Sequence, residues 1–122
     1  MPPNKVDLDT VRKIAHALPD VEESTAYGSP AFKVRGKLLA CIAINKSAEP
    51  GSLMVRIDFA NRTELIAASP DLYYLTDHYV NYPSVLVRLS RIHPDALRDL
   101  LSMAWRFVTA EKPPAKRAAR KP

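Results

Sequence analysis

The chain has 122 residues, 47% of them hydrophobic, which suits one domain with one core and is too short for two. Its longest apolar run, residues 38–44, is far below the roughly 20 residues that span a bilayer, and the amino-terminal segment lacks the apolar centre of a secretory signal. The formal net charge is +5 and Cys41 is the single cysteine, so an internal disulfide is excluded and we expect a cytoplasmic protein.

The first predicted element is a helix. Apolar residues recur at helical spacing from Val11 to Leu18, and Asp7 or Asp9 can cap the start of the helix. Pro19 is expected to end it, because proline is poorly tolerated inside a helix.

A turn-rich passage, with a short strand at 25–27, leads into a predicted hairpin. Two strand-like segments, AFKVR and LLACIAI, flank Gly36, which supplies the positive φ that a tight turn requires. A phosphate-binding loop is not supported, because Gly28 and Gly36 do not form a G-x-G-x-x-G or Walker pattern and no helix follows them. Cys41 lies in the apolar second segment, which indicates a buried and unreactive thiol.

Alternation in LMVRIDF predicts the next strand, with Arg56 on its polar face. The apolar face of this strand comprises Leu53, Val55, Ile57 and Phe59. Asn61 with Glu64 three residues later resembles a capping box, which starts a short helix that runs to about Ala68 and ends before Pro70.

The carboxyl-terminal third is predicted to contain one strand and one helix. The tyrosine-rich segment DLYYLTDHYVNYP is predicted to be irregular, SVLVRLSRI is predicted to be a strand, and Pro94 starts an amphipathic helix. The resulting order of elements predicts an α+β two-layer sandwich, with a mainly antiparallel sheet and the N- and C-terminal helices packed on one face. The other face of the sheet is expected to be more open to solvent.

The basic charge is concentrated at the end of the chain. The last twelve residues, EKPPAKRAARKP, hold five cations and one anion, so +4 of the net +5 belongs to them and +1 to residues 1–110. We therefore predict a single domain over 1–110 and a disordered basic tail over 111–122. Such a tail either adds sequence-independent phosphate affinity or aids solubility.

Four segments, in order along the chain, resemble the MmcQ/YjbR family. They are LPDVEE after the first helix, the hairpin GSPAFKVRGK, the late strand HYVNYPSVLVRL and the AWR of the last helix, and the resemblance covers residues 8–109. It implies a compact α/β fold similar to bacterial frataxin with a double-wing arrangement, and members of this family are commonly labelled DNA-binding. Many members carry a Trp near the start of the late strand, where this chain reads YPSVLV, so no role of that Trp transfers here.

Cations around the hairpin form the first candidate site. Lys33, Arg35 and Lys37 flank the turn, while Arg56 and Arg88 lie on other predicted strands. If those strands are adjacent, one sheet face carries a cationic row that tracks phosphates; a solvated face with ordinary charges is the alternative. The expected DNA binding is weak, salt-sensitive and largely sequence-independent. The tail residues assigned to this site are Lys116, Arg117 and Arg120.

The tyrosine-rich segment is the second candidate site. Tyr74, Tyr79 and Tyr82 can line a pocket for a metabolite or a protein partner, and His78 beside Asp77 is the best titratable pair in the chain. Alternatively, these tyrosines cover the edge of the core while their hydroxyl groups reach water.

An enzymatic function is not predicted. No His, Cys and Asp spacing matches a zinc site, and the adjacent Glu22 and Glu23 point in different directions, which disfavours paired acid–base chemistry. We therefore predict a small non-enzymatic binding protein without a cofactor, with DNA as its first candidate ligand and a monomer as the favoured state. A hydrolase or isomerase is the remaining alternative, and it requires a pocket that holds His78 against a carboxylate.

Overall fold

The structure is a computed structural model that describes residues 6–26, 28–43 and 48–110. The described helices are α1 (Leu8–His16), α2 (Phe59–Ala68) and α3 (Pro94–Ala110). The described strands are β1 (Val21–Ala26), β2 (Ser29–Val34), β3 (Lys37–Ile42), β4 (Ser52–Arg56), β5 (Tyr73–Tyr74) and β6 (Ser84–Arg88). No helix within these ranges has the length and apolar character needed to cross a membrane. The predicted basic tail, 111–122, lies outside the described residues.

The described strands form one sheet in the order β1-β2-β3-β4-β6-β5. Every neighbouring pair is antiparallel. The first four strands form a meander because consecutive strands with short connections pair with each other. After α2, the chain returns along the edge as β5 and then inserts β6 beside β4. The α+β class and the antiparallel sheet are confirmed.

α1 and α3 pack on one face of the sheet, which we call the helix face. Leu53 and Val55 of β4 and Val85 and Val87 of β6 are fully buried beneath them. The buried stripe of α3 consists of Leu97, Leu100, Leu101, Ala104 and Val108. Each buried leucine or valine of this stripe stabilises the fold by about 1.5–3 kcal/mol relative to an exposed one. The predicted packing of both terminal helices on one face is confirmed.

The opposite face, which we call the second face, is buried at its centre. One row of side chains crosses it in register through β2, β3, β4, β6 and β5: Ala31, Cys41, Met54, Leu86 and Tyr74. The first four of these residues are at most 7% exposed. Tyr79 and Ala48 pack against the row, so connecting segments cover it. The expectation that this face is more open to solvent does not hold at its centre, which is buried.

Two local predictions need correction at the start of α2. Asp58, rather than Asn61, caps the helix, and its carboxylate accepts the backbone N–H of Asn61 at 3.1 Å. Phe59 is therefore the first residue of α2 and is 48% exposed, instead of continuing the apolar face of β4. The physical reason is that the Asp58 carboxylate satisfies an early N–H of the helix and so starts the helix sooner than the alternation suggests.

The predicted hairpin is confirmed between β2 and β3. Its turn consists of Arg35 and Gly36, with φ of 53° and 82°, which is the left-handed backbone typical of a two-residue hairpin turn. The strand before it, β1, is longer than the predicted segment 25–27, because Val21–Ala26 pairs along the whole of β2. Most side chains of β1 are exposed and polar, so no apolar alternation marks this strand in the sequence.

Candidate functional site

The two strand arginines of the predicted cationic row lie on adjacent strands but far apart. In the register of β4 and β6, Arg88 pairs with Ser52 and Arg56 with Ser84, so four residue steps separate the arginines. At about 3.3 Å per residue, that is about 13 Å. The Arg56 guanidinium lies 5.7 Å from the ring centroid of Phe107 in α3. The buried Met54 lies between the two arginines. Apolar side chains therefore interrupt the row on the second face.

Arg88 takes part in a dense set of contacts at one end of β6. Its Nε and Nη2 donate to the carboxylate oxygens of Glu49 at 2.9 and 2.6 Å, and its guanidinium lies 4.2 Å from the ring centroid of Tyr74. Nη1 donates to the carbonyl oxygens of Pro70 and Asp71 at 3.4 and 3.1 Å. The Glu49 bonds raise the pKa of Arg88 and lower that of Glu49. This arginine connects three chain segments.

Tyr74 belongs to the same cluster. Its hydroxyl lies 2.5 Å from the Ser52 hydroxyl and accepts the backbone N–H of Glu49 at 2.8 Å. The Tyr74 ring packs against the Arg88 guanidinium, and its hydroxyl oxygen takes part in both hydrogen bonds. Tyr74 therefore stabilises the segment around Glu49 that precedes β4. It therefore holds the architecture together at this edge of the sheet.

The hairpin cations have carboxylates beside them. Arg35 donates from Nε and Nη2 to Asp20 Oδ2 at 3.2 and 3.1 Å, and both side chains are more than half exposed. Exposed pairs of this kind contribute about 0–1 kcal/mol. Lys33 lies opposite Glu22 on β1, and Lys37 lies opposite Val34 across the turn. The hairpin thus carries mixed charge.

The tyrosine-rich segment does not gather its predicted residues into one group. Two successive turns shape it, with Tyr79 N–H donating to Thr76 O at 2.9 Å and Tyr82 N–H donating to Tyr79 O at 3.1 Å. The His78 ring packs edge-on against Tyr79 with centroids 4.7 Å apart. Tyr79 packs on the second-face core, whereas His78 and Tyr82 are exposed. Within the described chain, no carboxylate lies within ion-pair distance of His78.

Arg62 is the functional candidate that the sequence did not indicate. It is the buried residue of α2, with 9% exposure. Its Nη1 donates to the carbonyl oxygens of Tyr82 and Ser84 at 2.8 and 3.4 Å, and the Phe59 ring centroid lies 4.6 Å from its guanidinium. Phe59 and Tyr82 are 48% and 60% exposed. We call the surface formed by Phe59, Arg62 and Tyr82 the aromatic surface.

Local sequence explains part of the aromatic surface. Phe59 and Arg62 are three residues apart in α2, which places them on the same side of the helix. Arg56, at the end of β4, also contacts the segment that leads into β6, because its Nε donates to Pro83 O at 3.3 Å. The aromatic-to-arginine spacing was the available signal, but the burial of Arg62 depends on carbonyls 20 and 22 residues away.

The chemistry offered by the described residues is that of binding. They contain no group of three or more His, Cys, Asp or Glu side chains placed to hold a metal ion. The Ser84 hydroxyl is enclosed, and none of the described residues forms a hydrogen bond with it. The Arg62 guanidinium, with the exposed Phe59 ring beside it, offers hydrogen-bond donors, positive charge and apolar contact area.

Comparisons with known proteins agree with this fold. The crystal structure of Deinococcus radiodurans protein DR2400, which has a DUF419 domain, is similar with a TM-score of 0.72 and 23% identity, covering 94% of this chain and 88% of that one. The uncharacterized proteins Rv2570 of Mycobacterium tuberculosis and Mb2600 of Mycobacterium bovis are each 46% identical over 111 residues, covering 80% of this chain and 84% of theirs. A family model described as YjbR matches residues 16–107, and the chain accordingly belongs to the YjbR family.

Proposed function

We propose that this YjbR protein is a small non-enzymatic binding protein whose ligand binds at the aromatic surface. One observation carries the proposal: the Phe59 ring, 48% exposed, lies 4.6 Å from a buried guanidinium that also donates to the backbone carbonyl of Tyr82, whose side chain is 60% exposed. Aromatic residues and arginine are enriched where binding energy is concentrated. A ring contributes contact area at low entropic cost, and a desolvated guanidinium contributes strong, directional hydrogen bonds.

The backbone beneath the aromatic surface is held from both sides, which supports this proposal. Ile57 N–H donates to Pro83 O at 2.9 Å on the β4 side. Arg62 bonds the carbonyls of Tyr82 and Ser84 from the α2 side. Preorganised binding groups lose less conformational entropy when a ligand binds. The surface is therefore suited to binding without a large rearrangement.

Ligand-induced thermal stabilisation tests the proposal. A library of small aromatic compounds and short peptides is screened for those that raise the Tm of the full chain. A ligand at 100 times its Kd stabilises the folded state by about 2.7 kcal/mol. Phe59→Ala and Tyr82→Ala are expected to abolish this stabilisation, whereas the matched double change Arg35→Ala with Lys37→Ala leaves it intact. Stabilisation that persists in both aromatic variants overturns the proposal.

Nucleic-acid binding at the β2–β3 hairpin is the second candidate function. The observation in its favour is the tight turn at Arg35 and Gly36, which places the Arg35 side chain at the surface. Arg35 forms an ion pair with Asp20, and because this pair is exposed, breaking it costs little free energy. Phosphate contacts give binding a steep salt dependence. The predicted affinity is weak, because acidic residues lie beside these cations.

Fluorescence anisotropy with labelled single- and double-stranded DNA tests this second candidate. The change Arg35→Ala with Lys37→Ala is expected to flatten the salt dependence by up to about two phosphate contacts. A chain that ends at Ala110 separates the contribution of residues 111–122. An unchanged salt slope in the double variant removes the hairpin from the nucleic-acid hypothesis.

A further inference from the structure

Two arginines of this chain bind carboxylates through the same edge of the guanidinium, formed by Nε and Nη2. Arg12 donates from Nε and Nη2 to the two carboxylate oxygens of Glu23 at 2.7 and 3.0 Å. Arg88 uses the same edge for Glu49, at 2.9 and 2.6 Å. The Nε–H and Nη2–H bonds are parallel, so this edge of a guanidinium matches the spacing of two carboxylate oxygens.

Arg62 is more buried than either of these arginines, yet its Nε–Nη2 edge has no such partner. Its two protein hydrogen bonds both come from Nη1, and no carboxylate in the described chain lies within ion-pair distance of it. The neighbouring Asp58 carboxylate caps α2 by accepting from the backbone N–H and side-chain amide of Asn61. Buried charges in proteins are normally paired, because moving one ion out of water costs roughly several kcal/mol.

The free edge of Arg62 is not sealed inside the protein. Within the described ranges, Ser84 Oγ is the fully enclosed side-chain polar atom that lacks a partner, so neither Nε nor Nη2 of Arg62 is completely enclosed. Phe59 covers one face of the guanidinium, and Nη1 donates to the backbone carbonyl of Tyr82, whose side chain is exposed. A ligand that reaches this edge therefore meets an aromatic environment.

We propose that the Nε–Nη2 edge of Arg62 binds the carboxylate of a small organic acid whose aromatic or branched apolar group packs on Phe59 and Tyr82. This inference rests on the proposed function and adds the chemical class of its ligand. A carboxylate supplies the counter-charge that the buried guanidinium lacks, in the geometry that Arg12 and Arg88 already show. Charge-assisted bidentate bonds of this kind are roughly twice as strong as neutral hydrogen bonds.

Amide chemical-shift titrations of the full chain test the proposal with phenylacetate, phenylacetamide and inorganic phosphate as probes. Phenylacetate is expected to shift the amides of residues 59–62 and those of Tyr82 and Ser84, since Pro83 has no N–H. Phenylacetamide, its uncharged analogue, is expected to bind the same residues about tenfold more weakly or worse, since the charge-assisted pair is missing. Phosphate is expected to leave these amides unshifted at equal concentration.

Three variants show whether phenylacetate binding depends on the Arg62 guanidinium and the Phe59 ring. Arg62→Lys keeps the charge but removes the parallel donors, and we expect it to weaken phenylacetate binding about tenfold or more. Arg98→Lys is the matched control, because Arg98 is exposed and bonds Asp95 through Nη1; it should bind as the unmodified chain does. Phe59→Ala changes an exposed side chain and therefore keeps the fold, and it should also weaken binding.

The outcomes separate this inference from the proposed function. Equal binding of phenylacetamide and phenylacetate at residues 59–62, or unchanged affinity in Arg62→Lys, overturns the carboxylate inference and leaves the binding surface standing. Shifts at these residues with phosphate but not with phenylacetate also overturn it. If neither phenylacetate nor phenylacetamide shifts these residues, but another aromatic ligand raises the Tm of the chain and Phe59→Ala abolishes this effect, only the carboxylate inference fails. If no aromatic ligand stabilises the chain, both fail.

Discussion

The guanidinium of Arg88 and the carboxylate of Glu49 form a two-pronged ion pair, with Nε–Oε1 at 2.9 Å and Nη2–Oε2 at 2.6 Å. The pair connects β6 to the segment that precedes β4, and the ring of Tyr74 lies against the guanidinium. The side chain of Arg88 is 22% exposed. Arg88 therefore contributes to the architecture of the sheet edge.

Replacing Arg88 with Met should raise the pKa of Glu49 toward 4.5, its ordinary value. The hydrogen bonds and charge of Arg88 lower this pKa in the folded protein. The pair therefore stabilises the fold above the unfolded pKa, and this contribution is lost as the pH falls through the folded pKa. An NMR titration of the Glu49 carboxyl carbon measures it, with Arg98→Met as the control that leaves it unchanged. Identical Glu49 titrations in the Arg88→Met variant and the unmodified chain would contradict the assignment.

Replacing Met54 with Ala should destabilise the protein by about 2 kcal/mol or more, as is usual for a buried methionine. Met54 lies on the second face and is 7% exposed. Chemical denaturation measures the change, and Lys13→Ala, at an exposed position of α1, should stay within about 0.5 kcal/mol. A cost for Met54→Ala as small as that of the control would show that the second face is open to solvent.

Replacing Asp58 with Ala should reduce the free energy of unfolding by about 1 kcal/mol, the usual effect of losing an N-cap. Asn61→Ala should reduce the free energy of unfolding less, because the Asn61 backbone N–H that donates to the Asp58 carboxylate remains in the variant. Both variants are compared by urea denaturation at neutral pH, and the opposite ranking would restore Asn61 as the cap.

The cap also has a pH dependence of known sign. Hydrogen bonds from the Asn61 side chain and backbone lower the pKa of Asp58 below 3.8. Its contribution to stability is present above the unfolded pKa and is lost as the pH falls through the lower folded value. The difference in stability between the unmodified chain and Asp58→Ala should therefore shrink in strong acid. A difference that stays constant down to the acid transition would argue against the cap.

The Cys41 thiol should react slowly with a disulfide reagent in the folded protein at mildly alkaline pH. Burial raises its pKa above 9.0 and so disfavours the reactive thiolate. Its side chain is 5% exposed within the second-face core. Absorbance of the released reagent should show a fast reaction only after denaturant is added. Rapid reaction without denaturant would mean that the second face opens readily.

Local patterns in the sequence were sufficient for most elements of the fold. Asp7 caps α1, Gly36 adopts a positive φ in the hairpin turn, and Pro94 begins α3 as predicted. Phe59 was misassigned because period-two alternation continues through it, whereas the carboxylate of Asp58 converts that position into the first turn of a helix. The strand β1 was underestimated because its polar, exposed side chains show no core-facing period.

The candidate site was harder to predict than the fold. The cations Arg35 and Arg88 were visible in the sequence, but their carboxylate partners, Asp20 and Glu49, are 15 and 39 residues away. The burial of Arg62 depends on carbonyls brought beside it by the path of the chain between α2 and β6. Such long-range contacts leave no local period or motif, so residue types alone could not show which arginine was available.

An amide chemical-shift map of the full chain against a library of small aromatic ligands shows whether a ligand binds at the aromatic surface. We expect perturbations to cluster at residues 59–62, 80–82 and 84 and to remain small at the hairpin, 33–37. Perturbations that cluster at the hairpin, or that form no contiguous surface, would contradict the assignment of the aromatic surface as the binding site.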